Sequence, residues 1–329
     1  MKMKALRWYG IHDVRTEEIE RPASPAGEVL VRVLYAGICG SDLHIYNKGM
    51  FIQNVPETMG HEFCGIVDQA APETGFAPGD CVIANPMVPC GCCDSCRRGS
   101  FNTCESLGFI GEVRQGCFAE YISLPADRLI RVPQETDMSR MALAEPLAVA
   151  VNVCERAGLR PEDSLAVIGA GPIGLLTAAI ARTVCGLQDV TVINRSQTRR
   201  GIARQLGVQA LASVPQDRRF DKVVEAAGSP TTLQIALQSV RANGTVLAVS
   251  VFEQDCTIDA NLIVGGQLSL IGCNCYDRRQ LETAVDLIAG GRLDLSPVIT
   301  DIVSLDQGKE AFEKLCRKDK PAAKILFKM

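Results

Sequence analysis

No apolar run in this sequence approaches the roughly 20 residues needed to cross a bilayer. The opening "MKMKALRWYG" lacks the apolar stretch and small-residue cleavage site of a signal peptide. Positive charge is not in excess either: 34 Lys and Arg stand against 38 Asp and Glu, a formal net charge of −4. A mildly acidic chain is poorly suited to nucleic acid or to a membrane surface, which call for a clustered basic face. These absences predict a cytoplasmic protein with no nucleic-acid and no membrane partner. Histidine is scarce as well, at three residues. What remains is a globular composition, 47% apolar and 22% charged, over 329 residues, enough for two ordinary domains each with its own core.

Cysteine, by contrast, is abundant: fifteen residues, an odd number. A reducing compartment disfavours a disulfide framework. Most cysteines, such as Cys154, Cys185 and Cys256, stand singly among apolar residues and read as small buried hydrophobes. The stretch "PCGCCDSCRRGSFNTC", Pro89 to Cys104, is different, with five cysteines and no histidine. Cys90, Cys93, Cys96 and Cys104 are spaced x2, x2 and x7. Four thiolates close a tetrahedron around Zn2+, and loops this short let the ligands converge. Gly91 and Gly99 give the backbone its freedom, Arg97 and Arg98 are near enough to offset a tetrathiolate, and Cys92 reads as a spare. A redox C-x-x-C would stand at a helix N-terminus in a βαβ context, whereas these surroundings are rich in Pro and Gly. The spacing predicts a structural zinc. Such a closed site has no position for substrate, so the chemistry belongs elsewhere.

Three further stretches, "GICGSDLH" (37–44), "GHEFCG" (60–65) and "AEPLAVA" (144–150), together offer Cys39, His61, Glu62 and Glu145. A thiolate, an imidazole and a carboxylate leave zinc a fourth position for water or a substrate oxygen. Singly each is weak, since a lone Cys is usually core and a lone His usually a satisfied polar group. The residue types alone leave a second metal open.

From about residue 149 the character of the chain changes. "SLAVIGAGPIGLLTAAIARTVCG" reads as strand, glycine turn and helix. Gly169, Gly171 and Gly174, with Pro172 and Ile173 between them, give G-x-G-x-x-G, the turn that seats a pyrophosphate on a helix N-terminus. Further strand-like runs at "DVTVIN", "FDKVVEAAG", "GTVLAVS" and "LSLIGCN", with helical patterns between, predict an α/β, doubly wound parallel sheet. The stretch "GVQALASVPQDRRFDK" is short for a third strand and its connections. Upstream, "GEVLVRVLYAG", "MGHEFCGIVDQA", "GDCVIANP" and "FAEYISLP" read as the short strands of a small β-barrel.

Twenty residues after Gly174 an NAD site carries Asp or Glu for the ribose 2′-hydroxyl; this chain has Asn194, then Arg195, Ser196 and Arg199. No carboxylate is there to repel a 2′-phosphate. Two guanidiniums at i and i+4 are spaced to converge on one phosphate, with Ser196 adding a hydroxyl. The pattern predicts NADP(H), with Arg195 the main phosphate ligand. The alternative is NAD(H), with Asn194 a weak ribose ligand and both arginines on a solvated helix face.

Taken in order, "GICGSDLH", "GHEFCG", "PCGCCDSCRRGSFNTC", "GCFAEY", "EPLAVA" and "GAGPIG" resemble, from end to end, the zinc-dependent medium-chain dehydrogenase/reductase family. Within it the chain looks closest to the polyol branch of sorbitol, butanediol and threonine dehydrogenases. "MKALRWYGIHDVRTEEI" is similar to butanediol dehydrogenases, "RQGCFAEY" and "LDLSPVIT" to threonine dehydrogenase, and "RSxxR" to NADP-using ketose reductases. The resemblance implies a GroES-like β-barrel catalytic domain over 1–148 and 275–329, a Rossmann domain over 149–274, and an active site in the cleft between them. It implies Cys39, His61 and Glu62 as ligands of a catalytic zinc, with Glu145 reaching that zinc directly or through its water. It implies Ser41 and His44 as the relay that carries the substrate proton to solvent. Two zinc ions per chain and a homodimer or homotetramer come with it, while His12 matches nothing and reads as surface. The implied activity is hydride transfer between a secondary alcohol or polyol, or the corresponding ketone, and the nicotinamide cofactor. An L-threonine 3-dehydrogenase-like activity and a non-catalytic, zinc- and NAD(P)-binding redox sensor stand as alternatives.

Overall fold

The computed structural model describes residues 1–329. Strands from the two ends of the chain share one seven-stranded sheet. Its order is Leu129–Arg131, Cys81–Ala84, Glu62–Ala70, Glu28–Gly37, Lys324–Lys328 and Ile299–Ser304, with Tyr121–Pro125 also paired to Glu28–Gly37. Glu28–Gly37 holds this sheet together because its sequence, "EVLVRVLYAG", is nearly continuous in apolar residues and only Arg32 is exposed. Its last residues lie between two other strands: Gly37 stands opposite both Leu326 and Glu62. The helix Gly40–Lys48 follows almost at once. The short, glycine-punctuated strands predicted a small β-barrel, and this sheet is the GroES-like type that the resemblance implies.

The second sheet is parallel throughout, in the order Gln209–Leu211, Asp189–Ile193, Ser164–Ile168, Phe220–Glu225, Val240–Ala248, Ser269–Gly272. Its central runs, "SLAVI" and "DVTVI", are buried apart from their first residues, as strands covered on both faces must be. Ala144–Ala157 and Pro172–Thr183 pack on one face and Pro230–Ser239 on the other. The doubly wound sheet is therefore as expected, and the short stretch after the third strand resolves simply: residues 212–219 cross to Phe220 without a helix. The helix Ala144–Ala157 runs unbroken through residue 148 and is buried along most of its length. It shares one core with Ile83 and Ile130 of the first sheet and Val167 and Val192 of the second. No helix is long and apolar enough to cross a membrane.

The turn after Ser164–Ile168 is the tightest point of the second sheet. Gly169 has φ +114°, and a Cβ there would stand 2.4 Å from Ala226 O. Gly174 is equally constrained, since its Cβ would meet Gly169 O at 2.0 Å. Gly169→Ala should therefore lower the urea midpoint, by strain of about 1–3 kcal/mol from the backbone alone. Gly171→Ala should leave it unchanged, because Gly171 has an ordinary φ of −74° and open space around its Cβ position. Equal midpoints for the two variants would contradict this close approach.

Candidate active site and metal centres

Cys39 is the N-cap of the helix Gly40–Lys48, and its backbone N–H donates to Asp42 Oδ2 at 2.8 Å. Putting Asp42 in the first turn satisfies an otherwise orphaned donor and fixes the cysteine where the helix begins. His61 follows Gly60, whose φ of +91° turns the chain into the strand Glu62–Ala70. The ligand atoms of Cys39, His61 and Glu62 lie within 4.8 Å of one another.

Glu62 is held from behind. Lys324 Nζ donates to Glu62 Oε2 at 2.5 Å and to Ile38 O at 2.9 Å, and both side chains are 1% exposed. Room for the carboxylate comes from Gly37, where a Cβ would stand 2.6 Å from Oε2. The other oxygen, Glu62 Oε1, is buried with no hydrogen-bond partner, as are Ser41 Oγ, Asp42 Oδ1 and His61 Nδ1. Burial alone would lower the His61 imidazole, yet Cys39, Asp42 and Glu145 push it well above its ordinary value. Unbalanced negative charge and unpartnered buried atoms are what a dication would relieve, so these residues fit zinc.

Glu145 stands apart from the three converging ligands. It lies in the first turn of Ala144–Ala157 and accepts a hydrogen bond from the buried Tyr276 hydroxyl at 2.7 Å. Burial raises its carboxyl to about 7, Glu62 adding to the rise while His61, Tyr276 and Lys324 oppose it. Tyr276 is aimed by the chain before it, where Asn152 Nδ2 donates to Cys275 O at 2.8 Å.

Ser41 and His44 occupy the same helix. The Ser41 hydroxyl is buried without a partner, while His44 Nδ1 lies 2.6 Å from Glu253 Oε1. His12 is exposed, edge-on to Tyr46.

Cys90, Cys93, Cys96 and Cys104 form the second cluster, their Sγ atoms within 4.8 Å of one another. Backbone N–H groups of Cys92 and Cys93 pull the Cys90 thiol down to about 6, toward the thiolate a metal needs. Gly91 and Gly99 both have φ of +75°. Cys92 Sγ, 3.7 Å from Cys90 Sγ, lies outside the four. Arg97 and Arg98 do not turn to the sulfurs; they pair with Asp94 on the surface, at 3.9 and 3.0 Å.

At the glycine turn, Gly171 caps the helix Pro172–Thr183 and Ile173 lies in its first turn. No atom stands within 4 Å of where a Gly171 Cβ would be. An open cradle at the N-terminus of a long helix fits a dinucleotide pyrophosphate. The corner at residue 194 differs from expectation. Arg199 does not converge with Arg195, because its Nε and Nη2 both donate to Ala322 O, at 3.0 and 2.8 Å. Ser196 is committed too: its hydroxyl caps the helix Gln197–Gln205 and faces Asp319 O and Lys320 O at 3.3 Å. The C-terminal segment satisfies its own carbonyls with these two donors. Asn194 Oδ1 accepts from Ser196 N at 2.9 Å. Arg195 is exposed and its side chain makes no hydrogen bond or ion pair, so it alone of the two arginines is free to meet a ligand.

Asp42, Lys324, Tyr276 and Glu253 were not found by sequence reasoning. Lys324 left a signal, a single charge inside the apolar run "AAKILF", and Asp42 left another, three residues after the N-cap Cys39. Tyr276 and Glu253 left none.

Family models match in two places: the alcohol dehydrogenase GroES-like domain over residues 25–134 and the zinc-binding dehydrogenase over 172–290. A 2-dehydro-3-deoxy-L-galactonate 5-dehydrogenase of Pseudoalteromonas atlantica is 32% identical, with 95% of each chain covered. D-xylulose reductase A of Aspergillus oryzae is 30% identical over 93% of this chain and 91% of its own. A Sinorhizobium meliloti 1021 structure, described as a zinc-binding dehydrogenase bound to NADP, superposes with a TM-score of 0.93 at 29% identity, each chain covered completely.

Glu145 gives this site a pH signature. Its carboxyl is raised above the ordinary value near 4.5, so the folded, zinc-free protein keeps a proton that the unfolded chain has released. Stability should fall as pH rises from about 5 to about 7. Glu145→Gln keeps the Tyr276 hydrogen bond and removes the titration. Unfolding free energies of the two zinc-free proteins, read from urea titrations, should therefore diverge with rising pH, by on the order of 2 kcal/mol in favour of the variant. A constant difference would contradict the raised carboxyl.

Proposed function

The chain belongs to the zinc-dependent medium-chain dehydrogenase/reductase family, in its polyol branch, and on that premise we propose how its own residues carry out the reaction. It is a zinc-containing, polyol-type dehydrogenase that transfers a hydride between a secondary alcohol or ketone and a nicotinamide cofactor. The observation that carries the proposal is the convergence of Cys39, His61 and Glu62 with Glu62 Oε1 left unpartnered. These three hold the catalytic zinc, and Lys324 fixes the orientation of Glu62. Glu145, standing behind them on Tyr276, orients a water or the substrate hydroxyl. Bound there, the metal would supply Lewis acidity to the hydroxyl oxygen, and a nicotinamide cofactor would supply the hydride acceptor. Ser41, its hydroxyl buried and unpartnered, takes the hydroxyl proton and passes it toward His44, which is partly exposed.

The second zinc, on Cys90, Cys93, Cys96 and Cys104, is structural. Asn102 and Asn274 exchange hydrogen bonds, at 3.0 and 2.6 Å, so this loop braces the segment that presents Tyr276. The two-domain division belongs to the same proposal: 1–148 with 275–329 as the catalytic domain, 149–274 as the dinucleotide domain, joined through the helix Ala144–Ala157. The strand Ser269–Gly272 ends its sheet with Leu270 exposed, which supports association of copies as a homodimer or homotetramer. A cytoplasmic location accords with the free cysteines.

For the cofactor the proposal is NADP(H), with Arg195 as the main 2′-phosphate ligand. Support comes from the missing carboxylate at Asn194, the unpaired Arg195 guanidinium and the NADP bound in the Sinorhizobium relative. Gly169, Gly171 and Gly174, with Pro172 and Ile173 opening the helix, would hold the pyrophosphate.

Metal analysis should find two zinc ions per chain. His61→Ala should retain the fold and cut turnover with secondary alcohols by at least about 1,000-fold. Cys96→Ser should lower zinc content and thermal stability, while the fraction that remains folded still turns over. Fully active protein with one zinc or none would overturn the assignment. Arg195→Ala should raise KM for NADPH by about 10- to 100-fold, the worth of a charge-assisted bond, with little change for NADH. A wild type that turns over faster at low NADH than at equal NADPH would overturn the cofactor assignment.

A further inference from the structure

The contact between His44 and Glu253 joins side chains 209 residues apart in the chain, and neither residue belongs to a metal cluster. The helix Gly40–Lys48 presents His44 and Lys48 four residues apart, on one face. The loop that leaves the strand Val240–Ala248 brings Glu253 across from the other sheet to meet both. Its Oε1 lies 2.6 Å from His44 Nδ1, and its Oε2 accepts from Lys48 Nζ at 2.6 Å. Lys48 first, and His44 with it, hold the Glu253 carboxyl below its ordinary value. Phe51 stands edge-on to the His44 ring, with centroids 6.4 Å apart.

An ionised carboxylate only accepts hydrogen bonds. A neutral imidazole facing it at hydrogen-bond distance must carry its proton on the facing nitrogen, because the partner of one ring nitrogen sets the state of the other. The contact therefore selects Nδ1–H and leaves the Nε2 lone pair open. We propose that Glu253 is a positioning residue of the proton relay. It locks His44 in the Nδ1–H form so that Nε2 accepts the proton leaving the alcohol through Ser41, and Lys48 anchors the carboxylate. The balance closes: Nε2 gains one proton, the ring becomes an imidazolium paired with Glu253, and Nε2 then releases that proton to solvent. Glu253 belongs to the chain segment of the parallel sheet, so the relay is complete only when the two sheets hold this separation. The inference rests on His44 being a relay member.

The test uses zinc- and cofactor-loaded protein with 15N-labelled histidine; with three histidines in the chain, the ring signals are separable by His12→Gln and His44→Gln controls. At a pH where the ring is neutral, long-range proton–nitrogen correlation should find His44 in the Nδ1–H form. In Glu253→Ala the ring should shift to a mixture or to Nε2–H. The same variant should lose about 10-fold in kcat for alcohol oxidation, part of the 100- to 10,000-fold of a full acid–base contribution. KM for the alcohol and zinc content should not move. Glu253→Gln, whose amide oxygen still accepts, should keep the Nδ1–H form and most of kcat. A Glu253→Ala protein that retains the Nδ1–H form, or loses it with kcat unchanged, overturns the inference. If His44→Ala slows turnover and Glu253→Ala does not, Glu253 alone is misassigned. If His44→Ala itself leaves kcat unchanged, the relay reading falls and this inference with it.

Discussion

A buried ion pair, Lys324 with Glu62, ties the seven-stranded sheet of this protein together. Two charges 1% exposed are costly to take from water, and the pair offers little net stability for that cost. What it gives is position. Lys324 opens the last strand of the chain, Glu62 opens a strand far earlier in the sequence, and Glu28–Gly37 lies between them. With Oε2 committed to the ammonium and Gly37 making room, Oε1 is left buried without a partner, in a carboxylate that clusters with Cys39 and His61. Removing either partner leaves an uncompensated buried charge, a loss of about 3–5 kcal/mol. The site therefore depends on the chain's final strand closing the barrel.

A second line of support reaches the site from the cysteine loop. The four-cysteine knuckle has almost no apolar core of its own. It holds Asn102 against Asn274, two residues before Tyr276, whose hydroxyl fixes Glu145. The cysteine loop thus bears, through Asn274 and Tyr276, on the hydrogen bond that holds a buried carboxylate. The His44–Glu253 contact adds a third line, drawn from the parallel sheet. Three separate segments converge on one small volume, and each brings a hydrogen-bonding group rather than apolar bulk.

Much of the fold was legible in the chain. Continuous apolar runs between helical patterns fixed the parallel sheet, because strands covered on both faces have no polar side to show. Glycines at 169, 171 and 174 marked a turn that the structure makes with almost no room for a side chain at two of them. The helix Ala144–Ala157 packs into a core shared by both sheets, and nothing in its composition breaks at residue 148. Arg199 shows the limit most clearly. Its spacing from Arg195 satisfies the rule for two side chains on one helix face, yet the carbonyl of Ala322 claims it. No local pattern announces an acceptor more than a hundred residues away.

The chain alone settles whatever depends on close neighbours: the cysteine knuckle, the glycine turn and the absence of a carboxylate at Asn194. Short loops bring such groups together with little entropic cost, so spacing alone predicts their geometry. Only the tertiary structure decided which groups complete them. Lys324 on Glu62, Tyr276 on Glu145, Glu253 on His44 and Ala322 on Arg199 are each pairs separated by more than one hundred residues. Their partners are chosen by how sheets and loops pack, and a buried polar group takes whichever donor or acceptor that packing brings within reach.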